Sequence, residues 1–338
     1  MVGPWRLAAA LVAVAGLIAC DSEPESKYPW APDKPVTVIV PWAAGGSTDQ
    51  VSRVVAGELE TALGQKFVVV NQPGASGTIG KGNVWNAAHD GYTWAAGAPK
   101  QLGEYKLLGL MDTKLDDWLL YLDVTAVQVV GVNPDSPYQT MADLLEAMKA
   151  HPGAVAIATA GATSAGHLAA ESIAQAAGIE YRHVTYDGGN PAVIATVAGE
   201  TEVTTQLAQE QVEMIRAGRI RPLAVLAEEP LEIPDYGTVP PITDWLPDIK
   251  LAKTEFGLFA PTDIPAEVKE TMDMVWEEKI ANSQALKDYA AERAVLFTPV
   301  HGEEAMTRVR RSAQIEAWML HAAGRTVMSP EELGIPKP

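Results

Sequence analysis

The 338-residue chain holds a single cysteine, Cys20, so no disulfide framework can staple it. Basic charge is scarce: 25 Lys and Arg stand against 43 Asp and Glu, a formal net charge of −18. That balance argues against nucleic acid as a partner. It also disfavours simple electrostatic steering of an anion, so local positive potential must come from loop backbone. The apolar run 7–19 is too short to span a bilayer as a mature helix. Three chemical fingerprints are missing as well. A P-loop needs Gly, four residues, then Gly-Lys-Ser/Thr. Ahead of Gly80-Lys81 its first Gly is replaced by Ala75, and Gly82 stands where the magnesium-binding hydroxyl belongs. No G-x-G-x-x-G follows the first expected strand, and Ser47 lies outside a G-x-S-x-G elbow. His167 joins no cluster of His, Cys and carboxylates at metal-ligand spacing. Nucleotide, metal and cofactor are therefore not expected.

A composition 47% hydrophobic and 20% charged supports a sizeable core, and the length suggests two domains. The organising stretch is 36–80. Val36-Thr37-Val38-Ile39-Val40 has the pattern of a strand buried on both faces. A loop follows: Pro41-Trp42-Ala43-Ala44-Gly45-Gly46-Ser47-Thr48-Asp49. Val51, Val54, Val55, Leu59 and Leu63 then recur at helical spacing until Gly64. Ser47 with Gln50 has the form of a capping box. Phe67-Val68-Val69-Val70 is a second buried strand, and Gly74-Ala75-Ser76-Gly77-Thr78 opens a second helix.

Two strand-loop-helix units aim two helix N-termini at the carboxyl edge of a parallel sheet, where open α/β folds hold ligands. Unpaired N–H groups and the helix dipole favour an anion there. Glycine and alanine allow close approach to the backbone. Hydroxyls of Ser47, Thr48, Ser76 and Thr78 add donors. The expected ligand is a small anion held by N–H and O–H groups rather than by arginine.

The chain continues with a helix over 79–88, a strand over 92–96 and the loop Gly97-Ala98-Pro99. Residues 105–122 read as an amphipathic segment. A strand over 124–132 leads into the turn 133–137, the expected crossing between domains. In the second half Thr140 caps a helix to Ala150, and a strand over 155–159 precedes the small-residue loop 160–167 with Thr163, Ser164 and His167. His167 reads first as a hydrogen-bonding residue at a helix start. A strand over 181–185 precedes Tyr186-Asp187-Gly188-Gly189, with Asn190 expected as N-cap and Pro191 as first helical residue. Further strands are expected over 202–207, 223–227, 255–261 and 295–298. Helices are expected up to Ala217, from Pro265 to Ile280 and over 303–323.

Arg6 and the apolar run 7–19 form a leader ending Leu17-Ile18-Ala19-Cys20, which resembles a bacterial lipobox. The resemblance implies cleavage before Cys20 and lipidation of its thiol. Asp21 implies retention at the inner membrane. Residues 20–32 read as a flexible tether.

The ordered set Pro41-Trp42-Ala43-Ala44-Gly45-Gly46-Ser47-Thr48-Asp49, Leu63-Gly64-Gln65, Asn71-Gln72-Pro73-Gly74-Ala75-Ser76-Gly77, Asp90-Gly91-Tyr92-Thr93, Tyr186-Asp187-Gly188-Gly189 and Gly257-Leu258-Phe259-Ala260-Pro261 resembles the substrate-binding proteins of the tripartite tricarboxylate transporter family. The resemblance implies an α/β two-domain Venus-flytrap clamshell of mostly parallel sheets flanked by helices. One domain would hold 33–132 and 253–338, the other 133–252. It implies a periplasmic receptor that delivers a small organic acid to membrane transporter subunits, monomeric and without a cofactor. A carboxylate would sit on the loops 43–48 and 74–78, and the ligand's other end on 160–164 and 186–189. The candidates are Trp42, Ala43, Ala44, Gly45, Gly46, Ser47, Thr48, Gly74, Ala75, Ser76, Gly77, Thr78, Ala98, Thr163, Ser164, His167, Tyr186, Asp187, Gly188, Gly189 and Gln206. Gln206 falls near where the family often has an acidic residue. The chain departs from the family at Trp42, Ala44 and Gly97-Ala98-Pro99. The competing expectation is a periplasmic enzyme on the same acids, with His167 or Asp187 as base.

Overall fold

The computed structural model describes residues 27–338, so Cys20 and the leader lie outside the described residues. The chain builds two mixed sheets. The first holds β1 (Val36–Val40), β2 (Phe67–Asn71), β3 (Thr93–Gly97), β4 (Trp118–Ala126), β12 (Thr254–Pro261) and β13 (Leu296–His301), in the order β13-β4-β12-β3-β1-β2. β1 pairs parallel with β2 and β3, while β12 runs antiparallel to β3 and β4. The second holds β5 (Val129–Val132), β6 (Ala156–Thr159), β7 (Arg182–Thr185), β8 (Val203–Thr204) and β9 (Arg221–Val225), in the order β7-β6-β8-β5-β9. A separate hairpin, β10 (Leu231–Ile233) with β11 (Gly237–Val239), occupies part of the proline-rich stretch.

Helices α1 (Ser47–Leu63), α2 (Thr78–Trp85), α7 (Ala266–Glu278), α8 (Gln284–Arg293) and α9 (Gly302–Ala322) accompany the first sheet. Helices α3 (Met141–Ala150), α4 (Ala165–Ala177), α5 (Gly189–Ala198) and α6 (Ala208–Arg216) accompany the second. The apolar strands of the first sheet are covered on both faces. One face packs Val36, Val38 and Trp94 with α1 and α7; the other packs Ile39, Ala95 and Phe259 with Val309 of α9. The second sheet has its own clusters, built around Val130, Ile157 and Leu223 and around Val129, Val212 and Val225.

Several local expectations are corrected. The strand expected over 124–132 is two strands in two sheets, so the chain crosses at Val127 and Gln128 rather than at 133–137. A strand-like run broken only by Thr125, Gln128 and Gly131 does not by itself say where its hydrogen-bond partners change. Residues 105–122 form no α-helix; turns at Pro99–Gly103 and Leu115–Asp117 lead directly into β4. The tether expected over 20–32 does not hold from Tyr28 on, because Tyr28 and Trp30 are buried in the first core and Trp30 N–H donates to Thr271 Oγ1 at 2.8 Å; residues 20–26 lie outside the described residues. Two aromatic side chains bury enough apolar area to offset the ordering of a short segment.

A bulge interrupts β4 just before the crossing. Phe256 pairs with Val124 and Gly257 with Leu122, which leaves Asp123 as the extra residue. Its buried carboxylate accepts Val124 N–H at 2.7 Å, and burial pushes its pKa up to about 7. Opposite it, a side chain at Gly257 would put its Cβ 2.1 Å from Tyr121 O and 2.8 Å from Leu122 Cα.

Two predictions follow from this bulge. Gly257→Ala should lower unfolding stability by about 1–3 kcal/mol in urea titrations, because backbone rather than a mobile side chain must give way. The unfolded chain ionises Asp123 near pH 4, whereas the folded chain keeps its proton to about pH 7. Over that window the unfolded state binds fewer protons, so the Asp123 contribution falls as pH rises, by up to about 1.4 kcal/mol per unit. Asp123→Asn should therefore gain on the wild type between pH 5 and pH 8; equal urea midpoint differences at both pH values would refute this.

Candidate functional site

The carboxyl ends of β1 and β3 face those of β6 and β8 across a cleft, and small-residue loops close it from both sides. β1 leads to Gly46, the N-cap of α1, whose backbone is extended with φ −77°. No side chain caps α1 from its own chain neighbourhood, so the expected Ser47–Gln50 box is not formed. Gln50 Nε2 instead donates to Gly45 O at 2.7 Å. Ser47 opens the helix and gives both its donors to one acceptor across the cleft. Its N–H reaches Glu210 Oε1 at 3.2 Å, and its Oγ–H bonds the same oxygen.

Glu210 sits in the first turn of α6, attached to the other sheet. Glu210 is half-buried; this burial raises its pKa, and the hydrogen bonds from Ser47 only partly oppose the rise. With the Gln206 amide assigned so that its oxygen takes Ala160 N–H at 2.7 Å, its nitrogen donates to the second oxygen, Oε2, at 2.9 Å. Together these residues wall a cavity of about 40 Å³ lined by Trp42, Gly46, Ser47, Thr48, Ala98, Gln101, Ala160, Ser164, Ala165, Gly189, Gln206, Leu207, Glu210, Thr254 and Phe256. That volume admits a few waters. Larger hollows, about 310 Å³ by Ser172 and Trp318 and about 270 Å³ by Asp116 and Arg310, lie away from this loop edge.

A second set of contacts joins the lobes beside the cavity. Ser76 sits in left-handed backbone, φ 56° and ψ 32°. Its Oγ accepts Ala162 N–H at 3.1 Å, and its carbonyl accepts Thr163 Oγ1–H at 3.0 Å and Tyr105 O–H at 3.2 Å. Gln101 Nε2 donates to Thr163 O at 2.6 Å, while its amide oxygen accepts from buried Lys81. Burial lowers the Lys81 pKa to about 7, against the opposing pull of Glu104. The crossing strands are tied as well. Thr254 Oγ1 accepts from Gln128 Nε2 at 2.9 Å and from Lys100 Nζ at 3.0 Å, and Lys100 pairs with Glu316 at 2.5 Å, all buried.

The sequence-derived candidates therefore fall into three groups. Trp42, Gly46, Ser47, Thr48, Ala98, Ser164, Gly189 and Gln206 line the cavity. Ala43, Ser76, Thr163, Asp187 and Gly188 lie at the seam between lobes, where Ala43 N–H donates to Asp187 O at 3.0 Å. The remainder stand off the cavity. Ala44, Gly45 and Ala75 are exposed. Gly74, Gly77 and Thr78 shape the turn into α2, with Thr78 Oγ1 bonded to Ala75 O. Tyr186 reaches Glu200 at 3.3 Å. His167 is stacked on His183 with centroids 4.0 Å apart, its Nδ1 2.7 Å from Ala162 O and its Nε2 3.3 Å from Glu171 one helical turn on. Asn190 does not cap α5; Gly188 does, because the helix begins two residues earlier.

Sequence reasoning missed Glu210, Gln101, Thr254 and Phe256. Glu210 stands four residues after Gln206, but Gln206 precedes the α6 N-cap Leu207, so no helical spacing signalled the pair. Among the described residues no helix is long and apolar enough to cross a membrane.

The seam predicts a test of closure. A Cβ on Gly161 would lie 2.6 Å from Ser76 Oγ and 2.9 Å from Ser76 Cα. Gly161→Ala should therefore hold the lobes apart: the radius of gyration from X-ray scattering should rise above wild type while the melting temperature changes little. An unchanged radius would mean that the loop shifts without the lobes moving.

The family model of the tripartite tricarboxylate transporter family receptor matches residues 51–293. A UPF0065 protein encoded in the tcbD-tcbE intergenic region of a Pseudomonas species is 31% identical over 254 residues, 74% of this chain and 75% of that protein. Among solved structures, one described as a periplasmic transporter superposes with TM-score 0.78 at 26% identity, over 88% of this chain and 99% of its own. A protein from R. palustris, solved with adipate, gives TM-score 0.77 at 24% identity, over 87% of this chain and 98% of its own.

Proposed function

The chain belongs to the tripartite tricarboxylate transporter receptor family, and from that premise we propose that it captures a small organic acid between its lobes and presents it to a membrane transporter. Membership makes it a periplasmic solute-binding protein of that family; the acid and the transporter are our reading. The observation that carries it is the cradle at the start of α1. Gly46, Ser47 and Thr48 line the cavity at a helix N-terminus, with Ser164 and Gly189 from the other lobe, and no lysine or arginine lines it. Such a site favours negative charge through peptide N–H groups and the helix dipole.

The magnitudes suit a receptor. A hydrogen bond to a charged group contributes about 1.5–3 kcal/mol. Four of them sum to roughly 6–12 kcal/mol before ordering and desolvation costs, and micromolar affinity needs about 8 kcal/mol. The R. palustris protein holds adipate, but its likeness to this chain is one of fold, so the acid class is argued from the cradle itself. The seam residues Ser76, Thr163 and Asp187 are assigned to closure over the solute. We also read the chain as a monomeric receptor rather than an enzyme, exported by its leader and lipidated at Cys20, which lies outside the described residues.

A thermal-shift panel of succinate, citrate, adipate and benzoate, with ATP and glucose as controls, tests the reading. An acid at 100 times its Kd should add about 2.7 kcal/mol of stability. Ser47→Ala should weaken that acid by about tenfold or more, one charge-assisted hydrogen bond being lost. A shift with ATP or glucose and none with any acid would overturn the proposal.

A further inference from the structure

Glu210 presents a puzzle that the receptor reading does not absorb. The chain places its own carboxylate on the donors that the reading assigns to a solute. Both Ser47 donors are spent on Glu210 Oε1 across a sequence separation of 163 residues. The seat is built from further elements. Gln206, itself oriented by Ala160 N–H, holds Oε2 at 2.9 Å. Gly189 leaves room for the group, since a Cβ there would lie 2.0–2.2 Å from the carboxylate atoms. The adjoining cavity, about 40 Å³, leaves no space for an organic acid beside it.

We propose that Glu210 is a resident occupant of the acid cradle, which the carboxylate of an incoming solute displaces. The inference rests on the receptor reading above. Two ionised carboxylates cannot share one pair of donors, so capture of the solute requires Glu210 to leave Ser47 and Gln206. The internal carboxylate thereby keeps the Ser47 N–H and hydroxyl paired while the site is unfilled, and it sets a threshold that a weakly fitting acid does not pass. Affinity is reduced by the fraction of molecules in which Glu210 still holds the cradle.

The test compares purified wild type with Glu210→Gln and Glu210→Ala by calorimetric titration at pH 7.5, using succinate, citrate, adipate and benzoate. Melting curves of the unliganded variants check that they are folded. Both variants should bind the preferred acid at least about tenfold more tightly than wild type, since the competing charge is gone. A structure of the wild-type complex should show the solute on Ser47 and Glu210 turned away. If wild type binds an acid and both folded variants bind it equally or more weakly, Glu210 is a solute contact or a spectator and the proposal falls, while the receptor reading stands. If wild type and variants alike bind none of the acids, the receptor reading falls and this inference with it. Binding by the variants alone would support both.

Discussion

The first turn of α1 leaves peptide N–H groups that no carbonyl within the helix can satisfy, and the structure around it answers that demand. The helix starts on the residue after a glycine cap, so its own chain offers no oxygen in the usual capping position. The oxygen comes from Glu210, on a helix of the opposite lobe. A local shortage is thus met by a long-range contact, and the contact fixes how closely the two lobes approach. Gly189 and Gln206 follow from it: one makes room for the carboxylate, the other holds its far oxygen.

Beside that contact the seam is a polar network. Ser76 is held in left-handed backbone while its hydroxyl and carbonyl take donors from Ala162, Thr163 and Tyr105. Such backbone persists for a non-glycine residue where neighbouring contacts over-determine it. Below it, Gln101 links Thr163 in one lobe to Lys81 in the core of the other. The lobes therefore meet through hydrogen bonds together with smaller apolar contacts, Ala165 and Leu207 reaching the first core and Leu168 packing on Met319 and Leu320.

The parallel strands β1 and β2 and the loops at their ends were legible because each is signalled locally, by β-branched runs followed by glycine and hydroxyl residues, whereas β3 showed only as a short apolar run ahead of Gly97. The helix opening at Thr140 was legible for the same reason, and its capping contact with Asp143 is formed. What escaped depends on partners distant in sequence. In Val124 to Val132 only the polar Gln128 marks the change of sheet, and a lone polar residue in a strand-like run does not distinguish a crossing from a strand position. Asp123 reads as one polar residue in a strand, and only the register against Gly257 makes it a bulge. Ser47 looked like the start of a capping box because Gln50 has the right spacing, yet a carboxylate from α6 outcompetes an amide for the same donors. Candidates such as Ala44 and Tyr186 came with whole loops implied by the family resemblance, and a loop range does not say which of its residues face the cleft; Ala44 is exposed, and Tyr186 reaches Glu200.

Tyr28 and Trp30 give the docked N-terminal segment a mechanical meaning. They are seated in the core of the first sheet, with Trp30 against Tyr92 at 5.4 Å and bonded to Thr271 on α7. A tension applied through the chain ahead of Lys27 is therefore borne by one lobe alone. That lobe behaves as a fixed jaw. In the closure we propose, the other lobe, joined to it through the strand crossings and the seam, is the jaw that swings.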